Sequence, residues 1–127
     1  MSSESRSLHR DDTGSIDRPR FVDPDSVFRN VNAILGRKWH LRIVYHLLSD
    51  GPMGFSALKG SLEGVSSKML SESLSSLEEQ ELVVRKIVND QPVRVEYSLT
   101  ERGRALAPIL DEIVHWDAEH GPVTESR

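Results

Sequence analysis

Between Leu82 and Gly103 two β-branched runs flank a turn, and the second runs straight into a helix start. Val83, Val84, Ile87 and Val88 make the first run, Leu82–Val88. Asn89-Asp90-Gln91-Pro92 breaks it with turn residues. Val93, Val95, Tyr97 and Leu99 then alternate with Arg94, Glu96 and Ser98, the period of a strand with one buried face. Thr100 is a good helix N-cap, and Glu101 suits the positive end of a helix. Ahead of the hairpin, Leu70, Leu74 and Leu77 recur at i, i+4 and i+7 in a helix from about Ser66 to Gln80. Helix, hairpin, helix in immediate succession leaves a chain of 127 residues few architectures: α+β, mainly α, around one two-stranded sheet.

The segments before and after fit that order. Asp25 or Ser26 can cap a first helix, with Val27, Val31, Ile34 and Leu35 on one face and Gly36 at its end. A second helix from about Lys38 carries Trp39, Ile43, Val44, Leu47 and Leu48, and Ser49-Asp50-Gly51-Pro52 stops it. Met53–Phe55 reads as a short extended piece, and Ser56 as the cap of a short helix with Ala57, Leu58 and Leu62. Gly60 and Gly64 shape the turn that follows. The last helix holds Leu106, Ile109, Leu110, Ile113, Val114 and Trp116, and ends before Gly121-Pro122. Pro108 removes one backbone donor there and should kink the helix or delay its regular start. Residues 1–24 read as a disordered, solvated tail, 25–118 as one folded domain and 119–127 as a C-terminal tail. The sum is a winged helix-turn-helix: a helical pair, a second amphipathic helix and a two-stranded wing.

Several function classes drop out. No cysteine is present, which removes disulfides, thiolate metal sites and thiol redox sensing. Asp111, His115 and His120 share one region but lack a further ligand at metal spacing, so they read as a solvated acidic face, with no metal and no cofactor. His40 and His46 read as packed or surface histidines of the second helix. No Gly-x-Ser-x-Gly elbow or phosphate loop occurs, and no enzyme is expected. Apolar runs are too short for a membrane span and no signal peptide precedes the domain, which points to a cytoplasmic protein.

The formal net charge of -4 argues mildly against a nucleic-acid partner, but its distribution does not. Residues 82–104 hold Arg85, Lys86, Arg94, Arg102 and Arg104 against three acids, and residues 25–66 are also net +2. The acidity gathers in residues 105–127, at -4. Double-stranded DNA is therefore the expected partner. The helix from Ser66 would enter the major groove with Ser66, Ser67, Lys68, Ser71 and Ser75 outward, and Arg85, Lys86 and Arg94 of the wing would meet phosphates. Glu72, Glu78, Glu79 and Glu81 run against this reading unless the C-terminal end of that helix points away from the backbone. They keep open an alternative, a winged-helix module for protein–protein interaction.

The motifs carry a family resemblance. Ile34-Leu35-Gly36-Arg37-Lys38-Trp39 resembles a hydrophobic-Gly-Gly-Lys-Trp signature, and Phe55-Ser56-Ala57-Leu58 an Arg-Phe-x-x-Leu element. Val65-Ser66-Ser67-Lys68-Met69-Leu70 resembles an Ile-Ser-x-Lys-x-Leu recognition-helix start, and Val95–Thr100 with Gly103 resembles a wing running into a last helix. Together they resemble the HxlR-type winged helix-turn-helix regulators of the MarR-like group. The resemblance implies a homodimer on a pseudo-palindromic operator, joined through the first and last helices, here Val27, Val31, Leu106, Leu110, Ile113 and Trp116. It leaves open a small-molecule effector at an interface near Trp39 and Trp116. Where many relatives carry a sensing cysteine, this chain has Ser26, and its recognition helix is serine-rich and acidic.

Overall fold

The computed structural model describes residues 22–122, so the tail expected over 1–24 and the end of the C-terminal tail fall outside the described residues except for 22–24 and 119–122. The first helix, α1 (Pro24–Leu35), starts earlier than a cap at Asp25 or Ser26 would place it. Asp23 takes that role: its carboxylate accepts from the Asp25 N–H at 3.3 Å. Pro24 fills the first helical position, where a missing donor costs nothing. Asp25 pairs instead with Arg29 one turn on. The chain divides into compact units between Ala33 and Ile34, inside this helix. In the first unit α1 exposes Val27 and Phe28.

The second unit holds one apolar core. The helix α2 (His40–Asp50) contributes Ile43, Val44 and Leu47, and the short α3 (Phe55–Ser61) contributes Leu58. The helix α4 (Ser67–Glu79) contributes Leu70, Leu74 and Leu77, the stripe its spacing foretells. Each leucine side chain buried in this way is worth roughly 1.5–3 kcal/mol relative to exposure. The start of α3 differs from expectation. Gly54 precedes it in extended conformation and Ser56 lies inside the first turn, with no side-chain cap. Met53 explains why: its N–H donates to the Tyr97 carbonyl at 3.0 Å and its carbonyl accepts from the Tyr97 N–H at 2.8 Å. This bridge delivers the chain into α3 two residues earlier than a cap at Ser56 would.

The hairpin pairs β1 (Val83–Asp90) with β2 (Val93–Leu99) antiparallel, with an irregularity between Ile87 and Asn89. The alternation in β2 leads one to expect a fully buried face, but only Leu99 is buried and Val93 is 65% exposed. Val83 and Leu99 at the base meet the core, whereas Ile87 and Val93 stand beyond it. The strand period sets which way a side chain points and not whether anything lies opposite.

Pro108 delays rather than kinks. The chain makes a short α5 (Glu101–Arg104), capped by the Thr100 hydroxyl, which accepts from the Gly103 N–H at 3.0 Å. It then restarts as α6 (Ala107–His120), with the proline in the first turn, where its missing donor is harmless.

His40, 2% exposed, is buried in this core, and among the described residues its Nδ1 has no hydrogen-bond partner. Burial holds its pKa below the ordinary 6.5, the Arg37 charge lowers it further, and a backbone hydrogen bond at Ile34 opposes both. Above about pH 6.5 both folded and unfolded histidine are neutral and nothing is lost. Below it the unfolded chain gains a proton that the folded one resists, so stability falls as pH drops toward the lowered folded value, by at most about 1.4 kcal/mol per pH unit. Urea unfolding at pH 7.5 and pH 5.0 should show this loss in the wild type and a smaller one in His40→Leu. Equal losses would remove His40 as the cause.

Candidate nucleic-acid interface

The outer face of α4 is built by its own start. Ser66 stands just before the helix in extended conformation, and its hydroxyl accepts from the Met69 N–H at 3.0 Å. One of the four orphan donors of the first turn is thereby satisfied. Ser66 is thus a cap, set apart from the outward row, although its hydroxyl proton stays free to donate. Ser67, Lys68, Ser71 and Ser75 are all exposed. Lys68 and Ser75 lie opposite the leucine stripe and Ser71 beside it, whereas Ser67, seven residues before Leu74, is in line with it and stands exposed in the first turn. Lys68 lies 3.9 Å from Glu72.

The wing separates its cations by face. Cross-strand partners share a face, and Lys86 pairs with Glu96 while Arg85 pairs with Tyr97. Arg94 lies two residues from Glu96 on β2, hence on the Lys86 side. A duplex against that face meets Lys86 and Arg94 and not Arg85. Arg94 also borders a depression of about 510 Å³ with Gly54–Ala57 at the start of α3.

Sequence reading missed a second basic group. Arg37 and Lys38 share a cleft of about 160 Å³ with Met69, Glu72 and Ser73 of α4. Lys38 and Arg42 lie over the buried Trp39 ring, 5.2 and 4.6 Å from its centroid, in a cation–π arrangement. Among the described residues none of Arg37, Lys38, Arg42, Lys86 and Arg94 is paired with a carboxylate. The clue in the sequence was three cations within six residues around Trp39; what it lacked was the cleft that Arg37 and Lys38 share with α4, which only packing creates.

The residues expected at a subunit contact fall into two groups. Ile113 and Trp116 are exposed on α6 and line one apolar depression of about 500 Å³ with Pro108, Ile109 and Glu112. Leu110, at 7% exposure, belongs instead to the protomer's own core, and Leu106 packs half-buried against that core. Leu110 thus faces inward on α6 and packs into the protomer's own core. On α1, Val27 is exposed and Val31 half-buried. Trp39 is buried at 5% exposure and offers little surface to an effector.

A capped helix with polar groups outward, preceded by a short helix and followed by a two-stranded wing, defines a DNA-binding winged helix-turn-helix. Among the described residues no helix is long and apolar enough to cross a membrane. Residues 34–125 match the model of the HxlR-like helix-turn-helix family, and the chain belongs to that family. Its relatives are transcriptional regulators, not enzymes. It is 44% identical over 92 residues to the HTH-type transcriptional regulator YvaP of Bacillus subtilis, covering 72% of this chain and 84% of YvaP. It resembles the crystal structure of a MarR-family transcriptional regulator from Enterococcus faecalis, with a TM-score of 0.74, 28% identity and coverage of 82% and 94% of the two chains. It also resembles the reduced form of YodB from Bacillus subtilis, with a TM-score of 0.66, 35% identity and coverage of 76% and 92%. This chain, having no cysteine, has no thiol through which to respond to oxidants.

Proposed function

We propose that the protein regulates transcription as a homodimer on a pseudo-palindromic operator. One α4 per half-site enters the major groove and the wing lies on the backbone or minor groove. The observation that carries this reading is the outer face of α4, with its capped start and its row of Ser67, Lys68, Ser71 and Ser75, beside Arg37 and Lys38 of the turn before α2. Ser67 and Ser71 would touch base edges, with Ser75 further along. Lys86 and Arg94 from the wing, Arg37 and Lys38 from the turn before α2, and Arg42 from its first turn would take phosphates, which give affinity and register. Dimerisation would use Ile109, Ile113 and Trp116 of α6 together with Val27 and Val31 of α1.

Selection of duplexes from a random pool at two salt concentrations tests the proposal. An enriched inverted repeat, weakened at the higher salt, is the expected result. On that repeat Arg94→Ala should weaken binding to all sequences alike and flatten the slope of log affinity against log salt by about 0.9 for each phosphate no longer neutralised. An unchanged slope would remove Arg94 from the phosphate contacts. A folded protein that enriches no sequence would overturn the operator reading.

A further inference from the structure

Glu72 stands where a helix that reads a polyanion should carry no carboxylate. Its side chain is 67% exposed and lies one turn beyond Lys68, 3.9 Å from the ammonium. It also borders the cleft that holds Arg37 and Lys38. Lys68 is beside it, and Arg37 and Lys38 of the turn before α2 line the same cleft.

The pair is poorly arranged for stability alone. Lys68 occupies the first turn of α4, where the helix dipole disfavours a cation. Lysine four residues before glutamate is also the weaker of the two orientations. An exposed pair of this kind contributes little. Local rules broken without local gain are expected at functional sites.

The chemistry of the groove supplies a reason. A carboxylate accepts hydrogen bonds and donates none; a lysine ammonium does the reverse. On the major-groove edge guanine shows only acceptors and thymine an acceptor and a methyl. Adenine sets its amine beside the N7 acceptor, which opposes a carboxylate. Cytosine alone offers an amine without an acceptor of its own beside it, and the O6 and N7 acceptors of its guanine partner lie next along the edge. A donor and an acceptor held side by side on one helix face complement that edge. Serines, which both donate and accept, do not make this distinction.

Resting on the major-groove placement of α4 proposed above, we propose that Lys68 and Glu72 together read one C·G base pair in each half-site. Glu72 accepts from the cytosine N4 amine, and Lys68 donates to O6 or N7 of the guanine. Arg37 and Lys38 offset the repulsion between Glu72 and nearby phosphates. Glu72 is then a specificity-determining residue of the helix.

The test is duplex selection with the full chain as wild type, Glu72→Gln and Lys68→Ala, together with thermal melting of each. The wild type should fix cytosine at one position of each half-site. Glutamine presents donor and acceptor together and suits adenine. Glu72→Gln should therefore move that position toward adenine, with the C-to-A preference changing by about 5- to 100-fold and the other positions unmoved. Lys68→Ala should relax the same base pair. A wild-type motif retained by Glu72→Gln, whether or not its melting temperature moves, would overturn the inference while leaving the operator reading intact. A wild type that selects no motif would overturn both.

Discussion

Gly103→Ala should destabilise the protein by roughly 3 kcal/mol, the upper range for forcing an atom into a filled space. A Cβ at that position would lie 2.2 Å from the Leu82 carbonyl oxygen and 3.1 Å from both the Leu82 carbonyl carbon and a Leu99 methyl. The nearest neighbour is backbone, so no side chain can swing away to relieve it. That backbone is also pinned. Thr100 donates its hydroxyl to the Glu81 carbonyl at 2.7 Å and Arg102 donates to the Gln80 carbonyl at 2.9 Å. Glu81 itself holds a positive φ of 62°, unusual for a residue with a side chain. The end of α4, the base of the hairpin and the start of α5 thus meet at one point with no slack. For a domain of this size the loss corresponds to a fall in melting temperature of about 10–25 °C. Gly60→Ala is the contrast: it lies within α3, its added Cβ meets nothing within 4 Å, and it should be neutral or stabilising by up to about 1 kcal/mol. Thermal melts of both variants check the pair. A Gly103→Ala protein that melts with the wild type would mean that the junction shifts freely, and the packing argument would fail.

How far this was legible differs from residue to residue. Gly103 is visible as part of a motif, but the atom that forbids a side chain there belongs to Leu82, a strand away, and no local pattern reports it. The leucine stripe of α4, the cap at Thr100 and the effect of Pro108 were readable, because each depends on residues within one or two turns. Ser56 misled for the opposite reason: its role as a cap was taken by a backbone bridge from Met53 to Tyr97, which joins distant segments. The wing shows the same limit, since alternation in β2 gave the faces correctly and the coverage wrongly. At the candidate interface Lys68, Ser71 and Ser75 follow from helical period, whereas Ser67 is in line with Leu74 and owes its exposure to its place at the helix start. Arg37 and Lys38 do not, because the cleft they share with α4 arises from the packing around Trp39. The sorting of Arg85 from Lys86 and Arg94 needed the strand register.

Trp116→Asp, alone or with Ile113→Asp, should convert the proposed dimer to monomer and weaken operator binding by about 10²–10⁴-fold, the scale of the advantage that two linked sites hold over one. Trp116 is 63% exposed in the protomer and shares an apolar depression with Ile109 and Ile113. A charge there disturbs little in the isolated chain, but buried against a second copy it would be an unpaired carboxylate. Leu110→Asp on the same helix is no substitute. Leu110 is core, and its replacement should unfold the protein and mimic a loss of binding. Melting temperature separates the two, near wild type for Trp116→Asp and far below it for Leu110→Asp. Sedimentation of a folded Trp116→Asp protein then reads the assembly directly. A dimer that survives both α6 substitutions would place the interface elsewhere. A folded monomer that still holds an inverted repeat at full affinity would sink the two-half-site arrangement, since nothing would then couple one recognition helix to the other.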